Sequence, residues 1–167
     1  MTTKHLQISG MVKQSIVDGS GLRFVLFVQG CPHLCPNCHN PNTHPFDGGY
    51  TMSADEIFAE IQKNPLISGV TLSGGEPFCQ AEALVPVAEN VKQLGKNIWI
   101  YSGYTFEELA EMSKATPAIG ALLALCDVLV DGRYVHEQRD LTLFFRGSKN
   151  QRVLQLENGR IEKVVEG

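Results

Sequence analysis

Three of the chain's five cysteines, Cys31, Cys35 and Cys38, stand within eight residues, in the stretch GCPHLCPNCHNP that runs from residue 30 to 41. Thiols packed that closely in a reducing compartment point to metal or redox chemistry before disulfides. Three sulfurs are one short of a closed tetrahedral zinc site, and His33, His39 or His44 could supply the fourth ligand. Structural zinc sites usually come as two ligand pairs on separate turns, however, and no second pair follows downstream. An iron-sulfur cluster suits the spacing better: cysteines hold such clusters, and three ligands on four irons leave one iron open to bind and activate a substrate.

A second stretch, SGGEP at Ser73 to Pro77, joins two glycines, which let the backbone come close to a ligand, to Glu76, whose carboxylate can hold an ammonium by a charge-assisted hydrogen bond. By itself it is equally a tight turn after a strand. Ser102-Gly103 and Asp131-Gly132 present the same choice between cofactor contact and turn. Arg146 and Arg152 could recognise a partner or simply be solvated. Cys79 and Cys126 read as small packing residues, Trp99, Tyr101 and Tyr104 as core and rim aromatics, and His5 and His136 lack a partner at ligand spacing.

The elements that must position these residues alternate. Leu22 to Gln29, LRFVLFVQ, is a nearly continuous apolar run that predicts a strand buried on both faces, and the cysteine loop begins where it stops. Ser53 and Glu56 form a capping box for a helix over Ser53 to Lys63, and Gly69 to Ser73 is a second strand. After the SGGEP loop, Leu84, Val87, Val91 and Leu94 stripe a helix whose regular part should start near Pro86. Ile98 to Ser102 is a third strand, Thr105 with Glu108 caps another helix, and Asp127 to Val130 is a fourth strand. Arg152 to Glu157, Asn158-Gly159 and Arg160 to Val165 read as a β-hairpin with a type I′ turn. The pattern predicts an α/β fold with a parallel sheet and ligand chemistry at the carboxyl ends of its strands.

At 167 residues, 43% hydrophobic and 19% charged, the chain predicts a single compact domain over 1–167 that needs no staples. A net charge of -4 gives no basic footprint for nucleic acid or an anionic membrane. No apolar run approaches the roughly eighteen residues that span a bilayer, and no signal-like h-region opens the sequence, so the expected location is cytoplasmic.

GCPHLCPNCHNP resembles the cluster motif of the radical S-adenosylmethionine superfamily. The resemblance implies that Cys31, Cys35 and Cys38 hold a [4Fe-4S] cluster whose fourth iron is chelated by the methionine moiety of S-adenosylmethionine. Many members carry an aromatic residue before the third cysteine, where this chain has Asn37. SGGEP matches the superfamily's glycine-rich strand end, which implies contacts from Gly74, Gly75 and Glu76 to the methionine amino group. VDGSG at Val17 to Gly21, WIYSGYTFEEL at Trp99 to Leu109, DVLVDGRY at Asp127 to Tyr134 and RGSKNQR at Arg146 to Arg152 narrow the likeness. Together they resemble the family that activates anaerobic ribonucleotide reductase, over most of residues 12 to 152.

That family implies a glycyl radical made on the reductase large subunit, a triphosphate reductase as target, and a flavodoxin-type electron donor. By similarity to pyruvate formate-lyase activases, Asp131 would lie near the methionine carboxylate, through a bound cation, and Ser102 is a plausible further cofactor contact. A closed eight-stranded barrel takes roughly 250 residues, so a chain this short predicts an incomplete TIM-type barrel. Its open side would suit a polypeptide better than a small metabolite. Two rivals stand beside this reading. One is a radical enzyme acting on a small molecule, such as a 7-carboxy-7-deazaguanine synthase, which shares the cysteine and GGEP loops; the other is a non-catalytic zinc module.

Overall fold

The computed structural model describes residues 5–33, 45–140, 142–143 and 145–165; Cys35, Cys38, His39 and His44 lie outside the described residues. The strands are β1 (His5–Ser15), β2 (Arg23–Val28), β3 (Tyr50–Ser53), β4 (Gly69–Gly74), β5 (Asn97–Tyr101), β6 (Val128–Asp131), β7 (Arg152–Glu157) and β8 (Arg160–Val165). The helices are α1 (Ala54–Gln62), α2 (Ala81–Gln93), α3 (Phe106–Met112) and α4 (Pro117–Leu125). All eight strands join one sheet in the order β3-β1-β2-β4-β5-β6-β7-β8. Its centre, β2-β4-β5-β6, is parallel, and both wings are antiparallel.

Strand alternation divides the central sheet into two different faces. Phe24, Leu26, Val28, Val70, Leu72, Ile98, Ile100 and Leu129 point to the helical side and join the main core with Leu84, Val87 and Val91 of α2 and Leu122 and Leu123 of α4. The alternate positions, Arg23, Thr71, Ser73, Trp99 and Val130, are buried on the other side. Arg23 is wholly buried there, donating to the Thr71 hydroxyl (2.7 Å) and to the carbonyls of Ser20 (3.0 Å) and Val70 (2.9 Å), with its guanidinium 5.4 Å from the Trp99 ring centroid. Burial lowers its pKa from 12.5 to about 10. The loop from Val17 to Gly21 wraps this cation so closely that a Cβ on Gly19 would lie 2.7 Å from the Arg23 side chain.

Both capping boxes form as the sequence predicts. Glu56 N–H donates to Ser53 Oγ and Ser53 N–H to Glu56 Oε1; Thr105 and Glu108 do the same for α3. The hairpin forms too, with Asn158 and Gly159 at φ 51° and 77°, as a type I′ turn requires. It is part of the main sheet, because β7 pairs with β6 and sets Arg152 opposite Asp131.

Other expectations need correction. β1, β3 and α4 were not predicted. α2 begins at Ala81 instead of near Pro86, because a proline in the second turn removes one backbone donor while the buried stripe of Ala81, Leu84, Val87 and Ala88 holds the helix together. Leu94 lies past that stripe, at the C-cap, and is 42% exposed. Cys79 is exposed as a residue, since the short 3₁₀ turn Pro77–Gln80 buries Pro77 and Phe78 and leaves it at the rim of the core with its sulfur partly covered; Cys126 is buried as expected. Among the described residues no helix is long and apolar enough to cross a membrane.

Candidate metal and cofactor site

The parallel strands end together, and the loops that follow them are stitched to one another by backbone bonds. Gly75 N–H donates to the Val28 carbonyl and Glu76 N–H to the Gly30 carbonyl, each at 2.8 Å. The pairing of β2 with β4 therefore continues past the strands and sets the start of the cysteine loop beside SGGEP. Gly74 turns with φ +94°, and any Cβ there would strike the Val28 backbone at 2.6 Å, so the close approach requires glycine.

A cavity of about 340 Å³ opens at this end of the sheet. One wall is Cys31, His33 and the strand end Ser73-Gly74-Gly75; the next is Tyr101, Ser102 and Gly103; the far wall is Val130, Gly132, Arg146, Gly147 and Gln151. Cys31 is buried at 8% exposure, and the structure brings it together with Gly74, Gly75 and Ser102. Ligand pockets are typically roughly 300–1,000 Å³. A sulfur donor opening onto such a space beside bare glycine backbone fits a cluster and a cofactor of the expected kind. Cys35 and Cys38, the other expected ligands, fall outside the described residues.

Glu76 and Asp131 stand behind the cavity wall. Glu76 is fully buried, and both its oxygens are taken. Oε1 accepts from His33 Nε2 (2.7 Å), Ser102 Oγ (2.9 Å) and Gly103 N–H (2.8 Å), and Oε2 accepts from Ser102 Oγ (2.9 Å) and Phe78 N–H (3.1 Å). Asp131 is equally committed. Oδ1 accepts from Arg152 Nε (3.0 Å), and Oδ2 accepts from Phe106 N–H (2.8 Å) and from the other arm of the same guanidinium. Arg152 reaches Glu107 as well (2.7 Å), and its carboxylate hydrogen bonds raise its pKa. Asp131 thus already faces a positive charge, that of Arg152 at the start of the hairpin.

Two further residues matter that the sequence did not single out for these roles. His33 appeared only as a possible zinc ligand, and no local signal links it to a carboxylate 43 residues away. Gln151 shapes the far wall: its Oε1 accepts from Gly147 N–H (2.8 Å) and Ser148 N–H (3.1 Å), and its Nε2 donates to the Gly132 carbonyl (3.0 Å). Arg146 donates through Nη1 to the Gln151 carbonyl (2.6 Å), its Nε is buried without a partner, and no carboxylate among the described residues pairs with it. The two arginines therefore differ, Arg152 bound into the sheet and Arg146 presented to the cavity.

Residues 17–154 match the model of the 4Fe-4S single cluster domain family. The anaerobic ribonucleoside-triphosphate reductase-activating protein of Vibrio cholerae is 39% identical over 144 residues, covering 81% of this chain and 89% of its own. That of Haemophilus influenzae is 34% identical over 150 residues, with the same two coverages. Among solved structures, QueE from Escherichia coli shares the fold over 60% of this chain and 54% of its own, with a TM-score of 0.51 at 20% identity. With Cys31, the glycine loop and Arg146 gathered on one cavity and the likeness covering 81% of its length, the chain belongs to the family of anaerobic ribonucleoside-triphosphate reductase-activating proteins, within the 4Fe-4S single cluster domain family.

Proposed function

We propose that the chain is a radical S-adenosylmethionine activase that generates a glycyl radical on the large subunit of an anaerobic ribonucleotide reductase. The observation that carries this reading is the meeting of Cys31 with the Gly74-Gly75 backbone on one cavity, in a chain 34–39% identical to activating proteins. Cys31, Cys35 and Cys38 would hold a [4Fe-4S] cluster and leave one of its irons for the methionine moiety of S-adenosylmethionine. Bound there, it would supply the one electron that breaks the C5′–S bond and releases methionine, and the 5′-deoxyadenosyl radical so freed would take a hydrogen atom from the glycine and leave as 5′-deoxyadenosine.

The chain's own residues bind, orient and exclude water. Gly74 and Gly75 give the cofactor a backbone it can approach closely, and Ser102 sits across the cavity from them. Glu76 and Asp131 act from behind the wall. With every carboxylate oxygen already accepting hydrogen bonds, they hold the loops that touch the cofactor. Val17, Val130 and Phe145 supply apolar wall, which keeps water from a reactive species. Arg146 offers its charge to the incoming reductase segment.

In this reading residues 1–167 are one radical S-adenosylmethionine domain, and the parallel strands are part of an incomplete barrel whose open side admits a polypeptide. A flavodoxin-type protein supplies the electron, and the setting is cytoplasmic. The test is anaerobic incubation of the cluster-loaded chain with the reductase large subunit, a reductant and S-adenosylmethionine, followed by electron paramagnetic resonance. A glycyl doublet is expected, and its loss on changing any of Cys31, Cys35 or Cys38 to Ala. Cofactor cleavage without a doublet, stimulated by a small metabolite, overturns the assignment.

A further inference from the structure

We infer that His33 is a positioning residue that latches the cysteine loop to the ends of β4 and β5 through Glu76, and so fixes where Cys31 presents its sulfur to the cavity. The inference rests on the reading of this site as one that carries a cluster.

Three independent contacts define the latch. His33 Nε2 donates to Glu76 Oε1 at 2.7 Å, between a histidine side chain only 4% exposed and a carboxylate that is not exposed at all. The ring meets Tyr104 edge-on, with centroids 4.5 Å apart and planes at 76°. It also packs against Gly103, where a Cβ would fall 2.3 Å from the ring. The pocket is thus shaped to the imidazole on its polar side, its edge and its face. A histidine serving only as solvated surface would show none of these contacts, and one serving as a metal ligand through Nε2 would not spend that nitrogen on a carboxylate.

The consequence for Cys31 follows from chain geometry. Gly30 on one side of Cys31 is fixed by its carbonyl's bond from Glu76 N–H (2.8 Å), and His33 on the other side is fixed by the Glu76 side chain. One residue therefore clamps both flanks of the cysteine. A segment pinned at two points so close together loses little further conformational entropy when its sulfur binds metal. Ser102 and Gly103 hold the same carboxylate from β5, so the clamp is referenced to two strands. Buried hydrogen bonds to a charged group are the stronger kind, so losing the His33 donor loosens the clamp even though Ser102, Gly103 and Phe78 still donate to Glu76.

Two substitutions separate donor from ring. His33→Phe keeps an aromatic ring against Tyr104 but cannot donate, whereas His33→Gln keeps an N–H that reaches the carboxylate but has no ring. The full chain, loaded anaerobically with its cluster, is mixed with a ferrous chelator and iron release is followed by loss of visible absorption. We expect release about tenfold faster in His33→Phe and within about threefold of wild type in His33→Gln. His33→Phe combined with Glu76→Met should release iron no more than about twofold faster than Glu76→Met alone, because each removes the same interaction. Full additivity is therefore read against Glu76→Met. In the cluster-free chain, alkylation of Cys31, mapped by peptide mass, should rank the variants in the same order. Equal rates for wild type and His33→Phe, His33→Gln as fast as His33→Phe, or full additivity with Glu76→Met would each overturn the latch. Retention of the cluster by a wild-type chain that cannot cleave S-adenosylmethionine would instead count against the proposed function and leave the latch standing.

Discussion

Glu76 and Asp131 sit at, or just beyond, the ends of two parallel strands of the same sheet, both buried and both next to a glycine-rich turn. Each accepts from a backbone N–H at the start of the following helical turn, Phe78 for Glu76 and Phe106 for Asp131. Each also accepts from a nitrogen donor far along the chain, His33 in one case and Arg152 in the other. They differ in what those partners are attached to. Glu76 holds the cysteine loop and the end of β5, which are themselves cavity walls; Asp131 holds α3 and the C-terminal hairpin, which support the walls from outside. The comparison teaches that a buried carboxylate at a strand end is a brace, and that its influence on chemistry depends on which segment it braces.

The largest expected effect comes from exchanging the two carboxylates for amides. Glu76→Gln keeps one oxygen to accept from His33 and Gly103 but loses the charge and sets its N–H₂ against the Phe78 N–H, with only the Ser102 hydroxyl able to accept from it. Stability should fall by about 3 kcal/mol, as when a buried charged partner is removed. Asp131→Asn can still accept from Phe106 N–H, and Arg152 keeps Glu107, so the loss should be about 1–2 kcal/mol. Urea unfolding of the cluster-free chain measures both. Cluster retention should collapse only for Glu76→Gln; equal loss in the two variants would erase the distinction between them.

How much of this was legible in the sequence depends on the range of the interaction. β2, β4, β5 and β6 were visible because strands buried on both faces are short apolar runs, and α1 and α3 because their capping boxes lie within four residues. β1 was not, since HLQISGMVKQS has a glycine at its centre, register breaks at Ile8/Gly10 and Val12/Ser15, and a half-exposed second part; its partners β2 and β3 dictate it. α4, PAIGALLAL, has no side-chain cap and is apolar all round, so it shows no helical stripe. In the site, cysteine spacing and paired glycines mark the backbone that a ligand must approach. Apart from Phe78, two residues beyond Glu76, the partners of Glu76 and Asp131 are 21 to 43 residues distant, and no local pattern encodes them.

A smaller effect sharpens the comparison on the Asp131 side. Thr105 Oγ1 accepts from Glu108 N–H and Asp131 Oδ2 from Phe106 N–H, so two acceptors share the first turn of α3. Thr105→Ala should cost about 1 kcal/mol in the same unfolding measurement. Cluster retention should not change, because nothing in this cap reaches the cysteine loop. The Glu108 carboxyl, held below its usual range first by Arg133 and then by the Thr105 backbone, adds a pH signature. A carboxyl with a depressed folded pKa stabilises at neutral pH and loses that contribution as pH falls through its folded value. Glu108→Gln should therefore flatten the loss of stability that the wild-type chain shows as the solution is made acid.

The smallest effect tests Glu76 through its charge. Cys79 is exposed and distinct from the three expected cluster ligands, so Cys79→Ser should leave iron content and stability within about 0.5 kcal/mol of wild type. Its thiol is nonetheless pushed up from 9.0 to about 11, first by burial of the sulfur and then by the negative charges of Glu76 and Cys31. A rise of that size leaves about a hundredfold less thiolate at neutral pH, so iodoacetamide should modify Cys79 far more slowly than an ordinary surface cysteine. Glu76→Gln removes one of those charges and should quicken the modification, whereas Asp131→Asn should not. Equal reactivity of Cys79 in both amide variants would show that the Glu76 carboxylate does not govern the field beside the cysteine loop.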